Sequence, residues 1–339
     1  MHLNDLYSDE YEIYEEKFDP LKKDRQARRS RKPRICHPRK DRAEIVTKLT
    51  DEFETELDGG FRTTYQPSQY EATWLLQSLL PFYGQTLITD VLALIKGGKE
   101  ASVYRCRAHP GTGFDLVAAK VYRPRKFRNL SNDAVYREGR VVLTEDGKEI
   151  KATDERVMRA FRKKTGFGLR VAHTSWVMHE FTILQQLYEQ EGAVPQPILS
   201  AENAILMGYQ GDENMAAPTL HEIGLERDEA ESLFDEVMRN VELLLGLGWV
   251  HGDLSAYNIL YWDGKIALID FPQVVNSHSN DHAHAILERD VARVCDYFAR
   301  QGVICNPTKL TKRLWQRYAE TPIRNRLADA SVHFPPDED

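Results

Sequence analysis

The chain has 339 residues, 42% hydrophobic and 29% charged, with a formal net charge of −7. That composition buries a substantial core and excludes collagen-like, mucin-like and wholly disordered chains, and the length suits about two domains or one large two-lobed one. The longest apolar runs, such as Val241 to Val250, fall well short of the ~20 residues that span a bilayer, so no membrane association is expected. The opening MHLNDLYSDE is acidic and is not expected to act as a secretory signal. Cys36, Cys106, Cys295 and Cys305 form no C-x-x-C pair, as expected of reduced thiols in a cytoplasmic protein.

In chain order, residues 1–64 are expected to be a charged, disordered tail. Residues 1–20 hold seven acids against one lysine, whereas residues 22–42 carry eleven Lys or Arg. Apolar periodicity is nearly absent here. The segment is either a solvated tail or a basic arm that binds RNA phosphates, or a ribosomal particle, by counterion release. Globular character starts near Tyr65. Trp74, Leu75, Leu79 and Leu80 lie at helical spacing before Pro81, which is expected to end the helix. Thr86 to Ile95, Ser102 to Arg107 and Leu116 to Tyr122 look like strands. A charged stretch over 123–170 mixes loop with a short helix near Glu155 to Lys164. Residues 173–190 carry the helical stripe Trp176, Phe181, Leu184, Leu187. A strand from Asn203 to Gly208 and a helix from about Arg227 to Gly246 follow, then two short apolar runs about a turn, then helices. The expected architecture is α+β: a β-rich N-lobe over 65–208 and an α-rich C-lobe over 209–339.

The chemistry concentrates in Trp249 to Gln273. Asp263-Gly264 between Ile259 to Trp262 and Lys265 to Ile269 is a strong hairpin signal. It places Asn258 just before one strand and Asp270 just after the other, with Asp253 five residues upstream of Asn258. Two carboxylates and an amide at one edge of a hairpin suit Mg²⁺, or Mn²⁺, which takes further ligands from phosphates. Phosphoryl transfer needs such a metal, together with a carboxylate that orients the attacking oxygen. The H-x-D-x4-N spacing followed by I-D-F matches the protein-kinase pattern. Upstream, Gly97-Gly98 sits between strands in IKGGKEASVY, and VAAKVY places Lys120 inside an apolar strand. A buried ammonium requires an acidic partner, and Glu180 on the Trp176–Leu187 helix is the candidate.

Together these motifs resemble the RIO-type atypical protein kinases over roughly residues 75–305: GGKEASVY, AAKVYRP, FRNL, WVMHEFTIL, HGDLSAYN, IDFPQ and DHAHAILERD. Ser255 is the most specific mark, because ordinary protein kinases usually carry lysine there. The absence of A-P-E after Asp270 implies a truncated kinase-like fold without a conventional activation segment. The resemblance implies that Gly97, Gly98, Lys99, Glu100, Ala101 and Ser102 cover the phosphates of ATP, that Lys120 contacts them, and that Glu180 holds Lys120. It implies an adenine site at Met207, Gly208 and Gln210, with Ser255 among the nucleotide-binding residues. It makes Asp253 the catalytic acceptor, and Asn258 and Asp270 the Mg²⁺ ligands, with Asp270 also a transient phosphoaspartate. The implied activity is serine/threonine phosphorylation of a protein substrate or of the enzyme itself, ATP hydrolysis, or both, in small-ribosomal-subunit maturation. Two other classes share parts of the pattern: small-molecule phosphotransferases of the aminoglycoside or choline kinase type, and RNA- or ribosome-binding assembly factors that use ATP as a switch. His278, His282 and His284 form H-x3-H-x-H without cysteine support, a weak zinc signal.

Overall fold

The computed structural model describes residues 61, 63–98, 100–123, 143, 144, 147, 150 and 166–320, with the backbone alone at 69, 70, 73, 166–170 and 320. The expected charged tail, Lys99, the FRNL stretch and the expected helix at 155–164 lie outside the described residues. The chain forms two compact units, one containing residues up to 131, 141–188 and 195–217, the other 189–194 and 218 onward.

In the first unit, helix α1 (Gln69–Gly84) leads into strands β1 (Ile88–Gly97), β2 (Ala101–Ala108) and β3 (Leu116–Tyr122), helix α2 (Gly166–Glu189), and strands β4 (Pro197–Ala201) and β5 (Ala204–Gly208). The strands form one antiparallel sheet in the order β1-β2-β3-β5-β4. Successive side chains of a strand point to opposite faces, and β3 divides accordingly. Val117, Ala119 and Val121 join Leu75, Leu79 and Phe82 of α1 in one core. Tyr122 belongs to a second cluster with Val177, Met178 and Phe181 of α2. Lys120 shares the parity of Tyr122 and is thereby presented to α2.

Two expectations are corrected. Helix α1 does not stop before Pro81; it continues to Gly84 with Pro81 inside it. Phe82, one residue beyond the proline, is fully buried in the core, and burying an aromatic side chain offsets the loss of one helical hydrogen bond. Leu80, by contrast, leaves the apolar stripe and is 42% exposed. Strand β4 had no counterpart in the sequence expectation. It is a short edge strand that begins at a proline, where the missing N–H disturbs the ladder least.

The second unit contains helix α3 (Arg227–Gly246), strands β6 (Trp249–Val250), β7 (Ile259–Trp262), β8 (Lys265–Leu268) and β9 (Val275–Asn276), and helices α4 (Ala283–Arg300) and α5 (Pro307–Trp315). Asp228 and Glu229 in the first turn of α3 favour the positive end of its dipole. Phe234 of α3 meets Phe298 of α4 edge-on at 5.4 Å. β7 pairs with β8 from Ile259↔Leu268 to Trp262↔Lys265. Asp263 (φ 49°) and Gly264 (φ 74°) both turn left-handed between them, the type I′ geometry that Asp-Gly favours. Among the described residues no helix is long and apolar enough to cross a membrane.

Candidate active site

In the sheet-bearing unit, Gly97 pairs with Ser102 across the turn that joins β1 to β2, and the Gly98 N–H donates to the Ala101 carbonyl at 2.8 Å. A Cβ at position 98 would stand 2.8 Å from that same carbonyl oxygen, so the turn accepts glycine alone. Glu100 gives its carbonyl to the Arg123 N–H at 2.8 Å, Ala101 opens β2, and Ser102 is buried.

Lys120 Nζ donates to Glu180 Oε1 at 2.6 Å, with the two side chains only 10% and 4% exposed. The pair joins a strand to a helix sixty residues downstream, as the sequence led us to expect. Tyr122, two residues along the same strand face, donates its hydroxyl to Glu180 Oε2, and its ring lies 5.4 Å from Lys120 Nζ. Both oxygens of Glu180 are therefore engaged, which satisfies a buried carboxylate. Tyr122 was missed in the sequence, although its i+2 spacing from Lys120 was the available signal.

Met207 faces Ala118 in the β3–β5 register, two residues along the ladder from the Lys120–Ile205 pair. Gly208 donates its N–H to the Gln196 carbonyl at 2.8 Å, and the Gln210 carbonyl accepts from the Ala217 N–H at 3.0 Å.

In the helix-rich unit, the segment 251–258 connects β6 to β7. Gly252 has φ +86°, and a Cβ there would fall 2.0 Å from the Gln273 carbonyl oxygen, so only glycine allows so close an approach. Asp253 is buried. Its Oδ2 accepts from Asn258 Nδ2 at 3.1 Å, and the same amide nitrogen donates to the Asp253 carbonyl at 2.9 Å. The amide nitrogen is thus turned to Asp253, and Asn258 Oδ1 is the oxygen suited to a cation. The Ile269 N–H donates to the Asn258 carbonyl at 3.0 Å, which sets Asp270 beside the Asn258 end of the hairpin. Asp270 adopts φ +71°, a conformation a non-glycine residue holds at a cost of about 1 kcal/mol or more and one that gathers at functional sites. The Ser255 hydroxyl is fully buried and without a hydrogen-bond partner, a polar atom that a ligand would satisfy.

His251 accepts the Asp253 N–H on Nδ1 at 3.3 Å while Nε2 lies 3.2 Å from the Ile269 carbonyl. These partners define a neutral ring with its proton on Nε2. Burial pushes its pKa below the ordinary histidine value, against the opposing charges of Asp290, Asp253 and Asp270.

The grip on this loop comes from α4, to whose residues the sequence assigned no role. Asp290 Oδ2 accepts the Gly252 N–H at 2.8 Å. Arg289 donates to the Gly252 carbonyl and pairs with Asp290 Oδ1 at 3.1 Å. Arg293 Nη1 meets Asp253 Oδ1 at 2.8 Å. The available signal was periodicity: Asp290 and Arg293 stand three or four residues from Ile286, Leu287, Val294 and Tyr297, on the stripe that an amphipathic helix buries, and buried charges mark a site.

Asn258 and Asp270 offer hard oxygen donors that fit Mg²⁺, an ion that keeps waters and shares ligands with phosphates. No group of three or more His, Cys, Asp or Glu side chains poised to hold a metal occurs among the described residues. His278 Nδ1 lies 3.0 Å from the Ser277 hydroxyl and His284 packs edge-on against Trp315.

The family model for the RIO domain matches residues 135–310. The chain is 30% identical over 236 residues to the serine/threonine-protein kinase RIO1 of Chaetomium thermophilum, covering 66% of this chain and 42% of that protein. It is 28% identical over 221 residues to the human serine/threonine-protein kinase RIO1, covering 64% and 34%. With the RIO-type serine/threonine-protein kinase Rio1 of Methanocaldococcus jannaschii it shares 30% identity over 241 residues, covering 70% and 72%. The chain thus spans less than half the length of the two eukaryotic relatives and nearly three quarters of the archaeal one. The matched region carries Glu180, Asp253, Asn258 and Asp270, and the α+β architecture is that of a protein-kinase-like fold; the chain belongs to the RIO family.

Proposed function

We propose that this protein is an ATP- and Mg²⁺-dependent RIO-type serine/threonine kinase with ATPase activity. The observation that carries the proposal is the buried Asp253 carboxylate bound by Asn258 at the mouth of the hairpin that ends in Asp270. Asp253 orients the attacking oxygen. Asn258 Oδ1 and Asp270 hold the metal, which when bound neutralises charge on the phosphates. Lys120, held by Glu180 and Tyr122, contacts the nucleotide phosphates, and the residues from Gly97 to Ser102 cover them. With the Gly208 N–H and the Gln210 carbonyl engaged inside the protein, the adenine edge is met by the Gly208 carbonyl and the Gln210 N–H beside Met207. Ser255 donates its hydroxyl to the nucleotide.

Asp270 also serves as a phosphoryl acceptor. Its carboxylate oxygen bonds to the γ-phosphorus as the bond to the ADP oxygen breaks, and water later cleaves the acyl phosphate to restore the carboxylate and release phosphate. The physiological setting is maturation of the small ribosomal subunit in the cytoplasm, with residues 22–42 contacting RNA. Loss of RNA affinity on deleting residues 1–45, and a steep fall of affinity with salt in the full chain, check that partner.

The test of the core proposal uses labelled ATP. Asp253→Ala and Asp270→Ala should each lower phosphoryl transfer by ~10²-fold or more while nucleotide still binds. Label on the wild-type protein should divide into an acid-stable serine or threonine phosphate and a hydroxylamine-labile acyl phosphate that Asp270→Ala lacks. Substantial residual turnover in either variant refutes the role assignment. Rapid phosphorylation of aminoglycosides or amino-alcohols would favour the small-molecule phosphotransferase class instead.

A further inference from the structure

Helix α4 places three charged side chains, Arg289, Asp290 and Arg293, on the segment that carries Asp253. All three are buried, and Arg293 is 0% exposed. A guanidinium so deep is tolerated only where a counter-charge meets it, and the Asp253 carboxylate at 2.8 Å is that counter-charge. The carboxylate is held on both sides, Oδ1 by Arg293 and Oδ2 by Asn258, while Arg289 and Asp290 fix the carbonyl and N–H of the preceding Gly252. Four contacts from one rigid helix and the loop itself leave the carboxylate plane little freedom to rotate.

The geometry points to Arg293 as a positioning residue for the transferase reaction: it fixes the plane of the Asp253 carboxylate, so that the attacking oxygen is aimed by a side chain forty residues downstream. The inference rests on the assignment of Asp253 proposed above. It gives Asp253 a definite character. A carboxylate facing a guanidinium on one oxygen and an amide on the other is a well-aimed hydrogen-bond acceptor. That suits a loose phosphoryl-transfer transition state, which needs alignment of the nucleophile more than removal of its proton. Arg293 itself touches neither nucleotide nor phosphate in this scheme, so its loss belongs in kcat and not in KM for ATP.

The test is a kinetic cycle on the full chain with Arg293→Lys, Asp253→Asn and the Asp253→Asn/Arg293→Lys double variant, with the charge-free Asp253→Asn/Arg293→Gln doublet beside it, each checked for folding by thermal melting and for ATP binding by calorimetry. Lysine keeps the charge but loses the planar fork. Arg293→Lys should bind ATP within ~3-fold of wild type and lose about 10- to 100-fold in kcat, the loss that a displacement of about 1 Å at the reacting atoms brings. In the Asp253→Asn background the further change at Arg293 should alter the residual rate by less than ~3-fold, because the group it positions has already been removed. A folded Arg293→Lys with wild-type kcat overturns the inference, as does an equal loss in both backgrounds, which would mark Arg293 as scaffold alone. If Arg293→Lys does not fold, the Asp253→Asn/Arg293→Gln doublet decides, since it buries no lone charge. A folded doublet as active as Asp253→Asn supports positioning, and a doublet that is slower by 10-fold or unfolded overturns it. Wild-type turnover in Asp253→Asn would instead remove the assignment of Asp253 itself, whereas an inactive Asp253→Asn beside an unimpaired Arg293→Lys removes only the role of Arg293.

Discussion

Replacing Glu180 by leucine should show how much of the sheet-bearing unit depends on one buried acid. In the native unit Glu180 receives Lys120 on Oε1 at 2.6 Å and Tyr122 on Oε2, and neither Lys120 nor Glu180 is more than 10% exposed. Glu180→Leu removes the buried carboxylate that the ammonium and the phenol share. Removing one partner of a buried ion pair costs about 3–5 kcal/mol, and the lost phenol hydrogen bond adds about 1 kcal/mol. Lys120→Met/Glu180→Leu replaces both charges with apolar groups of similar length, and such exchanges lie near neutral. The doublet should therefore recover at least about 2 kcal/mol of the loss of the single variant, which at about 2–4 °C per kcal/mol is a separation of about 4–8 °C in melting temperature. Denaturant titration followed by tryptophan fluorescence suits the measurement, because Trp176 lies edge-on to Tyr122 at 4.7 Å. Both proteins should be inactive in phosphoryl transfer, which separates the stability of the pair from its use. A doublet as unstable as Glu180→Leu, or a single variant as stable as wild type, refutes the argument.

Two further outcomes follow from the loop at 251–258. Gly252→Ala should destabilise the helix-rich unit and lower turnover together, because the new methyl would stand 2.0 Å from the Gln273 carbonyl; unchanged denaturation and unchanged kcat would show that the loop has room to shift. His251 is held below its ordinary pKa by burial, so between that lowered value and about 6.5 the unfolded chain binds a proton the folded one does not. Stability must then rise with pH through that window and be lost as pH falls below about 6.5, with a slope of at most about 1.4 kcal/mol per pH unit from this residue. Chemical denaturation between pH 5 and 7.5 should show a flatter slope in His251→Gln than in wild type, and equal slopes would refute the claim.

The parts of this protein legible from its residues are those whose cause is local. Asp-Gly between two apolar runs specifies a left-handed two-residue turn, and the β7–β8 hairpin has one. Alternation along VAAKVY places Lys120 on the face opposite Val117, Ala119 and Val121, and the cost of burying an ammonium demands an acid, so Glu180 was nameable from the stripe of its helix. Where local rules competed with packing, they lost: Pro81 does not stop α1, because Phe82 beyond it completes the core. Strand β4 was invisible because PILSA has too few residues to show a period and depends on β5 for its ladder.

The support of the site was decided by the tertiary structure alone. The sequence assigned Arg289, Asp290 and Arg293 no role; they become a grip on Gly252 and Asp253 only when α4 is laid against a loop some forty residues earlier. Tyr122 likewise joins Lys120 and Glu180 because a helix crosses the sheet at that point. Turns and strand faces follow from sterics within a few residues, which composition and order already contain. Which buried charge meets which is settled by chain segments far apart, through a desolvation cost that exists only once the core has closed.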